Sequence, residues 1–161
     1  MMKFTEVLRI LTKHSVDFIL VGGVSAVLHG APLMTWDLDI VHSREPENIA
    51  KLLKVLEELV AEYRDPGGRK LKPSEGYLGS KGHQLLRTRL GALYIGAIGP
   101  DLGYPDLLPH STEMTVAEGV SVRVLNLAKL IEIKEYVGGE KDLAVLPVLR
   151  RTLECANQLR K

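Results

Sequence analysis

The sequence predicts a single α+β domain, and three observations support this fold class. Apolar residues at helical spacing open the chain, short apolar runs with strand character follow, and two helical patterns separated by glycines close it. With 161 residues and 45% hydrophobic content, the chain can bury one core but is too short for two full-sized domains. We therefore expect one domain over residues 1–161, without internal repeats.

The first half of the chain is predicted to alternate helices and strands. The apolar spacing that begins at Phe4 predicts an opening amphipathic helix. Residues 18–21 predict a buried strand, and after a glycine turn residues 24–30 predict a short helix closed by glycine. An alternating run that begins at Trp36 predicts a second strand, and Pro46 then introduces a long helix that should cover the sheet.

The second half is predicted to be rich in strands and to end in helices. Asn126 is placed to cap one helix, and Gly138-Gly139 separates it from a final helix. A flexible, partly basic loop precedes the strands; its Arg69, Lys70 and Lys72 suit either an ordinary surface loop or contact with a charged substrate. The predicted strands are 84–89, 92–98, 112–117 and 120–125, the last two joined as a hairpin.

Composition excludes several classes of protein. The net charge of +1 gives no global field of the kind that nucleic-acid-binding proteins carry, although a local basic patch remains open. Cys155 is the only cysteine, which excludes an internal disulfide framework and a cysteine-cluster metal site. The N-terminus lacks a signal-peptide core, and the best apolar run, 18–28, is about half a membrane span. We therefore expect a soluble cytoplasmic protein with no membrane partner.

Two glycines and two aspartates form the most informative pattern. Gly22 and Gly23 follow the first predicted strand, and Asp37 and Asp39 lie two apart in the second. Glycines let backbone N–H groups approach a phosphate closely. Side chains two apart on a strand project from one face, about 6.5 to 7 Å apart, so both carboxylates can reach one Mg²⁺ ion or two adjacent ions. Each half alone also suits a tight turn or a solvated strand face, but together they indicate nucleotide chemistry.

This pattern resembles the hallmark of the nucleotidyltransferase superfamily: a hydrophobic residue before Gly-Gly or Gly-Ser, a spacer, then two acids alternating with hydrophobic residues. The two halves here are residues 21–23 and 37–40. The chain is most similar to the small bacterial branch that contains minimal nucleotidyltransferases and the transferase toxins of abortive-infection systems. Further residues match that branch in outline: Ala26, His29, Gly30, Thr35, Lys134, Lys141 and Asp142.

The resemblance implies a fold, a reaction and a set of site residues. The implied fold is a short mixed β-sheet flanked by helices. The implied reaction moves a nucleoside monophosphate from a nucleoside triphosphate to a hydroxyl of a protein, an RNA or a small molecule, and releases pyrophosphate. Asp37 and Asp39 would act in catalysis and hold two Mg²⁺ ions, while Gly22, Gly23 and Lys141 would bind the nucleotide.

One position departs from the family pattern. The family places a third acid on a neighbouring strand, and the best match here, residues 92–95, puts Tyr94 at that position. A neutral phenol is a poor magnesium ligand and a weak base. Asp101 and Asp106, in the following loop, are candidates to replace the acid. The alternative function is therefore a catalytically degenerate binding or regulatory protein, with a protein partner in a toxin–antitoxin pair.

Two further residues near the motif have a functional and a structural interpretation. Trp36 can stack on a nucleobase, but its alternation with Leu38 and Ile40 favours a position in the core. His29 precedes Gly30 at a predicted helix end, where its partial charge suits the C-terminus. A structural role is therefore favoured for both residues.

Overall fold

The protein folds into three layers, with a seven-stranded mixed β-sheet between two groups of helices. The computed structural model describes residues 3–160. The predicted α+β class, with a mixed sheet flanked by helices, is confirmed. The strands are β1 (Phe18–Val21), β2 (Asp37–His42), β3 (Glu62–Tyr63), β4 (Gln84–Thr88), β5 (Gly91–Ile95), β6 (Ser111–Ala117) and β7 (Val120–Leu125). The helices are α1 (Phe4–Lys13), α2 (Gly22–Leu28), α3 (Pro46–Glu58), α4 (Glu75–Leu78), α5 (Tyr104–Leu107), α6 (Leu127–Val137) and α7 (Glu140–Leu159), with a 3₁₀ turn at Leu108–His110.

Strands β1 and β2 lie at the centre of the sheet, whose order is β3-β4-β5-β2-β1-β7-β6. All four residues of β1 are buried, as expected for a strand covered on both faces. β1 runs antiparallel to β2 and parallel to β7, while β2 runs parallel to β5. The two strands that carry the glycine and aspartate motifs are therefore direct neighbours.

Two apolar clusters fill the space between the sheet and the helices. On one face, α1 and α3 bury Leu11, Leu52 and Leu56 against Leu38 and Leu93 of the sheet. On the other face, α6 and α7 pack against the buried residues of β1 and β7. No helix within residues 3–160 is both long and apolar enough to cross a bilayer.

The helices of the second face leave half of the sheet open. In β4, residues Gln84, Leu86 and Thr88 are buried, whereas Leu85 is 44% exposed and Arg87 is exposed. Because successive side chains of a strand point to opposite faces, one face of β4 lies in the core and the other meets solvent. This open face continues onto β5, where Tyr94 is half-buried.

Local structure departs from the sequence-based predictions in three places. Trp36 was predicted to face the core, and this is wrong: it is 61% exposed, because it precedes β2 and is not held by the ladder. β5 ends at Ile95 instead of 98, since Gly96 adopts φ +145°. The short elements β3, α4 and α5 were not predicted, because two to four residues carry no detectable period.

Val60 offers a direct test of backbone strain. It follows α3 with φ +53° and is 62% exposed, and its N–H donates to the Glu57 carbonyl oxygen. A β-branched residue in the left-handed region is strained by about 1–2 kcal/mol, whereas glycine is not. We expect Val60→Gly to raise the free energy of unfolding by about 1 kcal/mol, measured by urea denaturation. Val137→Gly, inside the last turn of α6, should lower it, and a loss in both variants would refute the strain at Val60.

Candidate functional site

The turn between β1 and α2 packs directly on the two motif strands. Gly22 adopts φ +69°, and a Cβ atom built on it would lie 2.3 Å from Oδ2 of Asp39. A Cβ on Gly23 would lie 2.8 Å from Oγ1 of Thr35. Neither position has room for a side chain, and Gly22 also needs the left-handed backbone that glycine adopts freely. The two glycines therefore bring the backbone of α2 against the Asp39 carboxylate and Thr35.

Asp37 and Asp39 project from one face of β2. Both are partly buried, and they alternate with Leu38 and Ile40, which are buried in the opposite core. In the antiparallel register Val21 lies opposite Asp39, which places this carboxylate beside the glycine turn. The tertiary structure thus brings together Gly22 and Asp39, which the sequence places far apart along the chain.

Tyr94 occupies the strand position next to Asp39. In the parallel pairing of β2 and β5, Asp39 lies opposite Tyr94. Its phenol oxygen accepts a hydrogen bond of 2.5 Å from Nη1 of Arg64, which follows β3. The position at which the superfamily resemblance implies a third acid therefore holds a phenol supported by a guanidinium group.

The candidate replacements for that acid lie elsewhere. Asp101 is exposed, and Oδ2 of Asp106 accepts a 2.9 Å hydrogen bond from the backbone N–H of Gly103 at the start of α5. Within residues 3–160, no three His, Cys, Asp or Glu side chains are grouped closely enough to hold a metal ion. Within the described residues, Asp37 and Asp39 therefore have no third acidic side chain grouped with them.

A cavity of about 340 Å³ opens beside Asp39, between the sheet and α6. Its polar lining includes Asp39, His83, Tyr94, Lys134 and Asp142. Nζ of Lys134 lies 3.0 Å from Oδ1 of Asp142, and both side chains are mostly buried. Apolar residues of α6 and of the loop after β5 form the remaining wall: Ile98, Leu130, Ile133 and Val137.

The two lysines of the C-terminal helices are placed differently. Lys134 lines the cavity, whereas Lys141, the predicted nucleotide ligand, is exposed on the first turn of α7 and is not part of the lining. His83 and the acid Asp142 were not predicted as site residues. Asp142 carried one signal, since it matches the family in outline together with Lys134 and Lys141, but His83 lies in a loop with no recognisable motif.

The site disfavours a second negative charge. The pKa of Asp39 is raised from 3.8 to about 6. Burial is the largest cause and the neighbouring Asp37 carboxylate adds to it, whereas the Lys134 ammonium lowers the pKa and offsets part of the rise. A buried carboxylate beside another carboxylate is stabilised when a cation binds between them. The electrostatics of the pair are therefore suited to a divalent cation.

The donor set fits magnesium in a complex with phosphate. Mg²⁺ prefers oxygen ligands and is commonly held by one or two protein carboxylates, with phosphate oxygens and water completing its shell. Asp37 and Asp39 supply two carboxylates on one strand face, and of the two only Asp39 lines the cavity and packs against Gly22. The residues present suffice for one such ion.

Comparison with known proteins places this geometry in a fold. No family model matches the chain, and no curated protein matches it in sequence. A crystal structure from Thermotoga maritima, described as a "putative nucleotidyltransferase", matches with a TM-score of 0.57 and 16% sequence identity, and the match covers 96% of each chain. At this identity the likeness shows the fold and not the activity. The protein has the nucleotidyltransferase fold.

Proposed function

We propose that this protein binds a nucleoside triphosphate together with Mg²⁺ at the cavity beside Asp39. The observation that carries the proposal is the packing of the Gly22 backbone on the Asp39 carboxylate, where a Cβ atom would lie 2.3 Å from Oδ2. This contact supports the proposal because it brings a glycine turn, whose backbone N–H groups can approach phosphate, next to a carboxylate of the type that holds Mg²⁺.

Each group of the site has a defined part in this proposal. Asp37 and Asp39 hold the cation, and the backbone of Gly22 and Gly23 donates to phosphate oxygens. Lys134, 3.0 Å from Asp142, exchanges this carboxylate for a phosphate oxygen when the nucleotide enters. When bound, Mg²⁺ neutralises the charge of the triphosphate and makes pyrophosphate a better leaving group.

The reaction that belongs to such a site is nucleotidyl transfer. An acceptor hydroxyl of a protein, an RNA or a small molecule attacks the α-phosphorus, the bond to the β-phosphate bridging oxygen breaks, and pyrophosphate leaves with the electron pair. The hydroxyl proton passes to solvent, since Asp39 is occupied as a ligand of the cation. In the minimal nucleotidyltransferase and abortive-infection branch that the chain resembles, this chemistry uses two metal ions.

Tyr94 favours a second candidate function. It lies opposite Asp39 and accepts from Arg64, so a phenol stands at the strand position where the resemblance implies a third acid. A site with this deficit retains the nucleotide without transferring it, and the protein then acts as a binding or regulatory partner, as in a toxin–antitoxin pair.

Calorimetric titration of the protein with ATP and Mg²⁺ tests the binding proposal. Asp37→Ala combined with Asp39→Ala should abolish the magnesium-dependent heat, whereas Glu118→Ala combined with Glu154→Ala removes two exposed carboxylates outside the cavity and should not. Lys134→Ala should weaken binding roughly tenfold, as expected for a lost charged hydrogen bond, and Lys141→Ala should not. Unchanged affinity in the aspartate double variant would remove the site assignment.

The formation of a labelled product distinguishes nucleotidyl transfer from nucleotide binding without transfer. The protein is incubated with labelled nucleoside triphosphates, Mg²⁺ and a cell lysate. Metal-dependent labelling of a protein or RNA that disappears in Asp39→Ala establishes transfer. Binding of ATP without any labelled product or released pyrophosphate establishes the second candidate.

A further inference from the structure

We propose that the open face of β4 and β5 is a binding site for single-stranded nucleic acid. The sugar-phosphate backbone of the nucleic acid would lie over Arg64 and Arg87, and a base would stack on Tyr94. The binding site stands on its own observations; its role as the acceptor site of nucleotidyl transfer rests on the proposed function.

Charge is segregated along the chain despite a net value of +1. Residues 62–89 contain seven Lys and Arg but only three Asp and Glu, whereas the rest of the chain contains fourteen and seventeen. This one segment, which forms β3, β4 and their loops, therefore carries an excess of positive charge that attracts a polyanion. Its basic residues are Arg64, Arg69, Lys70, Lys72, Lys81, Arg87 and Arg89.

The charges of the two arginines on the open face are not neutralised by an ion pair. Arg64 and Arg87 are exposed, and neither forms an ion pair with a carboxylate within residues 3–160, whereas Arg69 is held by Asp65 at 3.0 Å. Guanidinium groups bind phosphate through several N–H donors at once. The strand register puts Arg87 between Ala92 of β5, which is too small to cover its side chain, and Glu62 of β3, with which it forms no ion pair.

Tyr94 supplies an aromatic surface at the same place. Its ring lies 6.0 Å from the guanidinium carbon of Arg64, and its hydroxyl accepts from that group, so the ring is held in place over the sheet. Its strand neighbour Leu85 is 44% exposed and extends the apolar part of the surface. Aromatic rings between cationic side chains are the arrangement on which single-stranded bases stack.

This face leads directly to the nucleotide site. Leu85, Tyr94 and Asp39 lie side by side on β4, β5 and β2. At a spacing of about 4.8 Å between strands, the middle of the face is about 10 Å from Asp39. A nucleic acid bound on this face needs about two further nucleotides to bring its terminal hydroxyl to the cavity. An acidic peptide would use the two arginines but would gain nothing from the tyrosine ring.

Fluorescence anisotropy with a labelled mixed-sequence RNA of about 16 nucleotides tests the proposal, and a DNA of the same sequence shows whether the ribose matters. EDTA is present and nucleotide is absent, so the nucleotide site does not contribute. The logarithm of the wild-type affinity should fall linearly with that of the salt concentration. Arg64→Gln with Arg87→Gln should bind roughly tenfold more weakly and reduce the salt slope by about 1.4, since two phosphate contacts are lost.

Matched variants separate the site from a general charge effect. Arg150→Gln with Arg151→Gln makes the same charge change on exposed residues of α7, and should alter affinity less than about twofold. Tyr94→Phe keeps the ring and should keep the affinity, whereas Tyr94→Leu should lose about fivefold or more.

Four outcomes would overturn the proposal: no salt-dependent binding by the wild type, equal losses in both arginine pairs, no loss in Tyr94→Leu, or tighter binding of poly-glutamate than of RNA. The wild-type salt dependence needs no variant, and circular dichroism confirms that each variant is folded. Titration of the same proteins with ATP and Mg²⁺, without RNA, keeps the two proposals apart. Loss of RNA binding with intact ATP binding affects this inference alone.

Discussion

Replacing Gly22 with alanine is expected to lower the free energy of unfolding by about 2 to 4 kcal/mol and to abolish magnesium-dependent ATP binding. Two costs combine at this position. The left-handed backbone at φ +69° is strained for any residue with a Cβ atom, and the new atom would lie 2.3 Å from Oδ2 and 3.0 Å from Cβ of Asp39. Rotation of the carboxylate moves Oδ2 away, but Cβ of Asp39 is fixed to β2, so the turn or the strand must also shift by a few tenths of an ångström.

Gly119→Ala is the matched control for this prediction. Gly119 adopts φ +72°, and a Cβ atom built on it would have no other side chain or distant backbone atom within 4 Å. It therefore incurs the backbone strain, about 1–2 kcal/mol, without the overlap. Urea denaturation followed by circular dichroism gives both values, and the difference between them measures the contact with Asp39. Equal destabilisation by the two substitutions, or full ATP binding by Gly22→Ala, would contradict the proposed geometry.

Asp39→Asn is expected to stabilise the protein at pH 8 while it removes magnesium-dependent binding. Burial and the Asp37 carboxylate raise the pKa of Asp39 from 3.8 to about 6. Between these two pH values the carboxyl group is protonated in the folded state but ionised in the unfolded state. Its contribution to stability is therefore fully present below pH 3.8 and is lost as the pH rises through about 6. Asparagine is neutral throughout and escapes this loss, which amounts to about 1 to 3 kcal/mol at pH 8.

The measurement is the free energy of unfolding of wild type and Asp39→Asn at pH 4 and at pH 8, without divalent cations. The gain should be present at pH 8 and nearly absent at pH 4. Asp101→Asn makes the same substitution at an exposed carboxylate, and its effect should be similar at the two pH values. Added Mg²⁺ and ATP should raise the melting temperature of the wild type but not of Asp39→Asn. A gain of equal size at both pH values would show that the charge of Asp39 is not responsible.

Much of the fold was predictable because its central elements have strong local signals. Residues 18–21 form an apolar run that fits a strand covered on both faces, and the glycines after it end the strand and start a helix. The spacing of the apolar residues in α3 likewise predicted a helix over most of its length. Trp36 was predicted wrongly, because the alternation was extended to one residue before the start of β2, where no ladder fixes the side-chain direction.

The site was only partly predictable, since its residues meet through long-range contacts. Tyr94 was placed at the third acidic position by resemblance, and the register of β2 and β5 sets it beside Asp39. No sequence period distinguishes Lys134 from Lys141 as a cavity residue, because the difference depends on how α6 and α7 pack after Gly138 turns the chain with φ +64°. His83 enters the cavity from a loop, where its position depends on the neighbouring backbone of Gly96.

The sequence by itself determined the α+β class, the strand–glycine–helix unit and the pair of aspartates on one strand face. These features depend on the backbone freedom of glycine and on side-chain periodicity, both of which act between neighbours in the chain. Only the tertiary structure decided that Gly22 packs on Asp39, that Lys134 faces the cavity, and that one half of the sheet stays open beside Tyr94. Those features depend on strand order and helix packing, which are set by the burial of apolar surface from distant parts of the chain.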